Sequence, residues 1–92
     1  MRLTQSEITL IKDTIKKYIN DAKIYIFGSR LDDSKKGGDI DIFIITDKKV
    51  TLQIESKIKF FLEGELLKPI DLVFHRDFER EIEKEALKGI EI

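Results

Sequence analysis

Cysteine is absent from the 92 residues, which removes disulfide frameworks, thiol nucleophiles and cysteine metal sites together. Histidine occurs once, at His75 after an apolar run, where it reads as an exposed imidazole outside any site. Long hydrophobic runs are missing too. The one stretch that looks long, Ile40 to Ile45, is interrupted by Asp41, and roughly 18 unbroken apolar residues are needed to span a bilayer. The opening residues, Met1 to Glu7, lead into no apolar core or small-residue cleavage site, so no secretory signal is read. The expected compartment is the cytoplasm, with no membrane partner. An excess of one charge sign is also lacking, since 17 basic residues face 18 acidic ones. The densest basic cluster is Lys35-Lys36, far short of the broad basic face by which a domain neutralises many phosphates. Nucleic acid is therefore disfavoured as a partner.

What is present is 41% hydrophobic and 38% charged side chains, the composition of one small domain over residues 1–92. Thr4-Gln5-Ser6-Glu7 forms a capping box, and Ile8, Ile11, Ile15, Tyr18 and Ile19 follow at helical spacing. Ile24 to Phe27 is β-branched and aromatic and stops at Gly28-Ser29, a short strand entering a turn. Arg30 to Gly38 is polar and irregular beyond a helical turn starting at Ser29, and reads as a functional loop. Asp39 to Ile45 is a second strand, apolar on both faces past Asp41, which places it in the middle of a sheet. Leu52, Ile58, Phe61 and Leu62 give a second helical stripe ending near Gly64, and Pro69 introduces a third strand, Ile70 to Phe74. A last helix from about Asp77 to Lys88 turns Phe78, Ile82, Ala86 and Leu87 inward, with Glu79, Arg80, Glu81, Glu83, Lys84 and Glu85 as a solvated face and Gly89 as its stop. The fold class is α/β (α+β): a small mixed sheet of three strands flanked by helices.

The connection from Gly28 to Gly38 is too short for the crossover that parallel neighbours require, so the first two strands are expected to be antiparallel. The second connection contains a helix, which lets the third strand run parallel to the second. Gly28-Ser29, Asp39, Asp41 and Asp71 then meet at one edge of the sheet. Asp39 and Asp41 share one face of their strand while Ile40, Ile42 and Ile44 line the other. Two carboxylates at the mouth of an apolar strand repel each other and lose solvation, a cost that a divalent cation offsets. Asp71 is a similar oddity, second in a five-residue apolar strand. Oxygen ligands without Cys or His suit magnesium, or manganese, with the shell completed by water and substrate phosphates. Gly28 permits a close backbone approach, and Ser29 offers a hydroxyl and an amide, so the turn can cradle phosphate. Triphosphate in the turn and metal on the aspartates point to nucleotidyl transfer.

Phe27-Gly28-Ser29, nine intervening residues, then Asp39-Ile40-Asp41-Ile42 resembles the signature of the DNA polymerase β-type nucleotidyltransferase superfamily. The small size is similar to that of its minimal nucleotidyltransferases. The resemblance covers nearly the whole chain, and it implies two magnesium ions held by Asp39, Asp41 and Asp71. It further implies that Asp71 activates the attacking hydroxyl and that Gly28, Ser29 and Arg30 bind the nucleotide, although Arg30 pairing with Asp32 or Asp33 stays an open alternative. Such minimal enzymes are often encoded beside a small helical HEPN-domain protein. The resemblance thus implies an antitoxin that transfers AMP from ATP to a tyrosine of a HEPN-type toxin partner. Arg30 is followed here by Leu31-Asp32-Asp33, where many relatives have a small residue and then Arg-Gly. Two rival readings stand beside the enzyme: an inactive binding module that neutralises its partner by contact, and adenylyl transfer to a small molecule in a pocket completed by a homo-oligomer.

Overall fold

The computed structural model describes residues 3–28 and 38–92. Helix α1, Gln5–Tyr18, opens on the reciprocal cap expected from sequence: Glu7 N–H donates to the Thr4 hydroxyl at 3.1 Å and Thr4 N–H to the Glu7 carboxylate at 2.8 Å. The chain turns into strand β1, Lys23–Phe27, and resumes in strand β2, Ile40–Ile45. Helix α2, Leu52–Leu66, is capped by the Thr51 hydroxyl and leads to strand β3, Ile70–Phe74. Helix α3, Glu81–Leu87, and strand β4, Ile90–Glu91, complete the chain.

Among the described residues the strands form one sheet in the order β3-β2-β1-β4. β1 pairs antiparallel with β2, and β2 pairs parallel with β3, as the connection lengths predict. β2 is central, and its inner residues Ile40, Ile42, Phe43 and Ile44 are buried on both faces. One face receives α1 and α2, so that Ile11, Ile15, Ile19, Ile58 and Leu62 pack on Ile24, Ile26, Ile40, Ile42, Ile44 and Ile70. Each fully buried side chain of this kind contributes about 2 kcal/mol. The other face carries a smaller cluster of Phe27, Phe43 and Ala86 beneath α3.

Four expectations need correction. α2 continues through Gly64 and ends only where Leu67 takes a left-handed conformation, φ 55°, because a glycine within a helix costs only about 1 kcal/mol against its packed neighbours. Leu52 and Phe61 do not face the core; they are 76% and 44% exposed. The last helix is shorter than its periodicity suggested, Phe78, Ile82 and Leu87 stand largely exposed, and Glu83 is fully buried instead of solvated. A fourth strand, β4, follows the helix and extends the sheet beyond β1. Gly89 makes this possible, since a Cβ there would collide with the Ile26 carbonyl oxygen and crowd the Ala86 carbonyl at 3.0 Å.

Candidate active site

The parallel register of β2 and β3 sets Asp41 beside Asp71, and the antiparallel register of β1 and β2 sets Phe27 beside Asp41. Gly28, which closes β1, and Asp39, just ahead of β2, therefore lie at the same end of the sheet as the Asp41–Asp71 pair. The backbone fixes this edge: Ile40 N–H donates to the Pro69 carbonyl at 2.9 Å, and Ile70 N–H donates to Glu63 Oε2 at 2.9 Å. Alternation along β2 turns Asp41 toward the face of Phe43 and α3, away from Ile40, Ile42 and Ile44.

Gly28 has φ 79°, a conformation that side chains disfavour, and a Cβ on it would overlap Oδ2 of Asp41. The carboxylate thus rests directly on the backbone of the turn. Asp41 is half-buried, and its carboxyl is pushed up to about 6, first by burial, then by the charges of Asp71 and Asp39, and last by a hydrogen bond with Asp71. The three aspartates share one electrostatic field, with more negative charge than the site solvates well.

Among the described residues, no three His, Cys, Asp or Glu side chains are already gathered as a metal cage. Magnesium does not demand one, because it binds through one or two carboxylates and fills its shell with water and phosphate oxygens. The all-oxygen donor set and the raised Asp41 carboxyl fit such an ion. Of the residues singled out from sequence, Gly28, Asp39, Asp41 and Asp71 come together at this edge. Ser29 and Arg30 lie outside the described residues.

Sequence reasoning missed a second polar cluster at the opposite end of β3. Glu83 is fully buried and accepts from Arg76 N–H at 2.8 Å, Asp77 N–H at 2.9 Å and the Arg80 guanidinium at 3.1 Å. Its other oxygen lies 2.6 Å from His75 Nδ1. Burial alone would raise the Glu83 carboxyl, but the hydrogen bonds from Asp77, His75 and Arg76 outweigh it and hold the group below the usual carboxylate range. The carboxylate is ionised, so His75 Nδ1–H is the donor. His75 is therefore not a free imidazole: it is paired with Glu83 and stacked on Phe78, ring centroids 3.9 Å apart. The available signal was Ala86, whose inward position implies an inward residue three places earlier, at Glu83.

A chain from the complex of tri-AMPylated Shewanella oneidensis HEPN toxin with MNT antitoxin superposes with TM-score 0.76 at 21% identity, covering 97% of this chain and 71% of that one. A chain of a variant MntA–HpeT toxin–antitoxin complex gives TM-score 0.75 at 20% identity, over 92% of this chain and 69% of that one. A chain of the toxin–antitoxin complex MntA–HepT gives 0.61 at 22% identity, over 77% and 55%. These likenesses establish a shared fold. No curated protein matches the chain in sequence. No helix among the described residues is long and apolar enough to cross a membrane. The model of the family described as polymerase beta, nucleotidyltransferase, matches residues 9–92, and the chain belongs to that family.

Proposed function

We propose that this chain is the antitoxin of a toxin–antitoxin pair and transfers AMP from ATP to a hydroxyl of a HEPN-type protein. The observation that carries the reading is the Asp41–Asp71 register pair, Asp41 resting against Gly28 and Asp39 close enough to act on its charge, in a chain of the nucleotidyltransferase family. The solved complexes of similar fold are toxin–antitoxin pairs, and in one of them the toxin is a tri-AMPylated HEPN protein. The acceptor oxygen attacks the α-phosphorus, the bond to the β-phosphate breaks, and pyrophosphate leaves.

In this reading Asp39, Asp41 and Asp71 hold magnesium, which supplies the positive charge that the developing phosphoryl oxygens require. Gly28 lets the triphosphate approach the chain without a side chain between, and Ser29 supplies a hydroxyl and an amide of the kind that phosphate accepts from. Arg30, next in sequence, carries a guanidinium, a charged donor suited to phosphate. Asp71 accepts the proton that the attacking hydroxyl releases. Incubating the HEPN-type partner with this chain, ATP and magnesium should add one or more AMP masses to the partner, read by intact-mass spectrometry. An unmodified partner under saturating nucleotide would overturn the catalytic reading.

A further inference from the structure

β3, the strand that carries Asp71, lies at the edge of the sheet and is paired with β2 alone. In such a pair alternate residues turn their main-chain groups toward the neighbour. Here these are the odd-numbered ones: the Pro69 carbonyl accepts from Ile40 N–H, and His75 N–H donates to the Ile44 carbonyl, both at 2.9 Å. Ile70 therefore turns its N–H outward, where no strand follows. Ile70 is fully buried, and a buried N–H without an acceptor is costly. Glu63 supplies that acceptor through Oε2 at 2.9 Å, which among the described residues is the one side-chain hydrogen bond from α2 to β3.

Glu63 does two things at once. Its carbonyl accepts from Leu67 N–H at 2.9 Å, where the left-handed residue closes α2, while its carboxylate catches the first residue of β3. The helix end and the strand start are thereby tied across the short connection from Leu67 to Pro69. What this tie opposes is electrostatic. Asp71 follows Ile70 and stands in register with Asp41, on which its charge acts together with that of Asp39. Like charges push β3 away from β2 at this point, and the end of an edge strand opens more readily than its middle. The downstream end has other holds, His75 on Ile44 and the Arg80 guanidinium on the Phe74 carbonyl at 3.4 Å. Ile70 packs on the face of α2 and Asp71 turns to the opposite one, so Glu63 acts through the main chain and not by touching the site.

Resting on the function proposed above, we infer that Glu63 is a positioning residue for the aspartate edge: by holding Ile70 N–H it fixes Asp71 against Asp41, and with it the spacing at which the two carboxylates take magnesium. Hydrogen-bonded supports one step behind metal ligands are worth about 10- to 100-fold in metal affinity or activity.

The test is titration calorimetry of a nonhydrolysable ATP analogue at varied magnesium into the full chain, as wild type and as Glu63→Ala, Glu63→Gln and Glu63→Asp. Hydrogen exchange at the Ile70 amide is followed in parallel. Glutamine keeps the reach and an acceptor oxygen without the charge, whereas aspartate keeps the charge and is one methylene short. Apparent magnesium affinity should fall about 10-fold or more in the alanine and aspartate variants and stay within about 3-fold of wild type in the glutamine variant. The Ile70 amide should exchange faster in the first two than in the third. Thr51→Ala removes the hydroxyl cap at the other end of α2, so it should lower the melting temperature and leave magnesium affinity unchanged, which separates positioning from general loss of stability. Should the alanine variant fail to fold, the contrast of aspartate with glutamine decides alone. Faster exchange at Ile70 with undiminished magnesium affinity overturns the positioning role and leaves the proposed function standing. So does an aspartate variant that binds like wild type where the glutamine variant fails, since charge and not reach would then matter. A wild-type chain with no magnesium-dependent binding of the analogue overturns the positioning role and the proposed function together.

Discussion

Asp41 is the residue on which the site's electrostatics turn. Its carboxyl is raised from 3.8 to about 6, so the folded chain holds a proton there more tightly than the unfolded chain does. The stability this contributes is fully present below the unfolded value and is lost as pH rises through about 6. In chelator at about pH 7.5, Asp41→Asn should therefore melt higher than wild type, by about 1 kcal/mol or less because solvent screens a half-exposed group. Magnesium should raise the wild-type melting temperature and leave the variant nearly unmoved. Equal melting of the two proteins from acid to neutral pH would show that Asp41 carries no such strain. Gly28 is tested separately, since its positive φ and its contact with Asp41 are independent objections to a side chain. Gly28→Ala should cost about 1 kcal/mol for the backbone alone and displace the Asp41 carboxylate. AMP transfer should fall by about 100-fold with folding intact by circular dichroism, as a misplacement near 1 Å can produce.

α3 shows where periodicity misleads. Six charged residues between Glu79 and Glu85 read as a solvated surface, yet one of them, Glu83, is fully buried. A buried carboxylate is invisible to a pattern that sorts polar from apolar, because what permits it lies elsewhere: the amides of Arg76 and Asp77, the imidazole of His75 and the guanidinium of Arg80. α1 was legible because cap, spacing and stop agree, and β1 to β3 because their runs are short, apolar and bounded by turn residues. β4 was not, since two exposed residues, Ile90 and Glu91, carry no periodicity and are held by the sheet they join. Removing the clamp should matter accordingly. Glu83→Ala leaves two amides and a guanidinium without their acceptor and should destabilise the fold by about 3 kcal/mol, read by chemical denaturation. The Glu83 carboxyl is lowered, so its contribution is present above its unfolded value and lost as pH falls through the folded one. Wild type should thus lose its advantage over the variant in acid, and a difference that persists undiminished there would mean that packing, not charge, holds α3.

Across the whole molecule the sheet separates two kinds of work. One face is filled by isoleucines against α1 and α2, and the aspartate edge projects from the other. The edge was legible in the sequence because Asp41 and Asp71 each break an otherwise apolar strand, and the connection lengths alone bring those strands together at the correct ends. What surrounds it was less so: nothing in the sequence shows that Asp41 lies against Gly28, and the reach of Glu63 to Ile70 depends on which side of α2 meets the sheet. If chemistry resides at the aspartate edge and partner binding does not depend on it, the two should separate by mutation. Asp39→Asn with Asp41→Asn should lower AMP transfer by about 1,000-fold or more, since it removes carboxylates that would hold the magnesium. The same variant should bind the HEPN-type partner with unchanged affinity by titration calorimetry and fail to neutralise it in a growth assay. A double variant that still neutralises would assign the protective effect to contact alone, and the aspartates would then be a feature of the fold that this chain no longer uses.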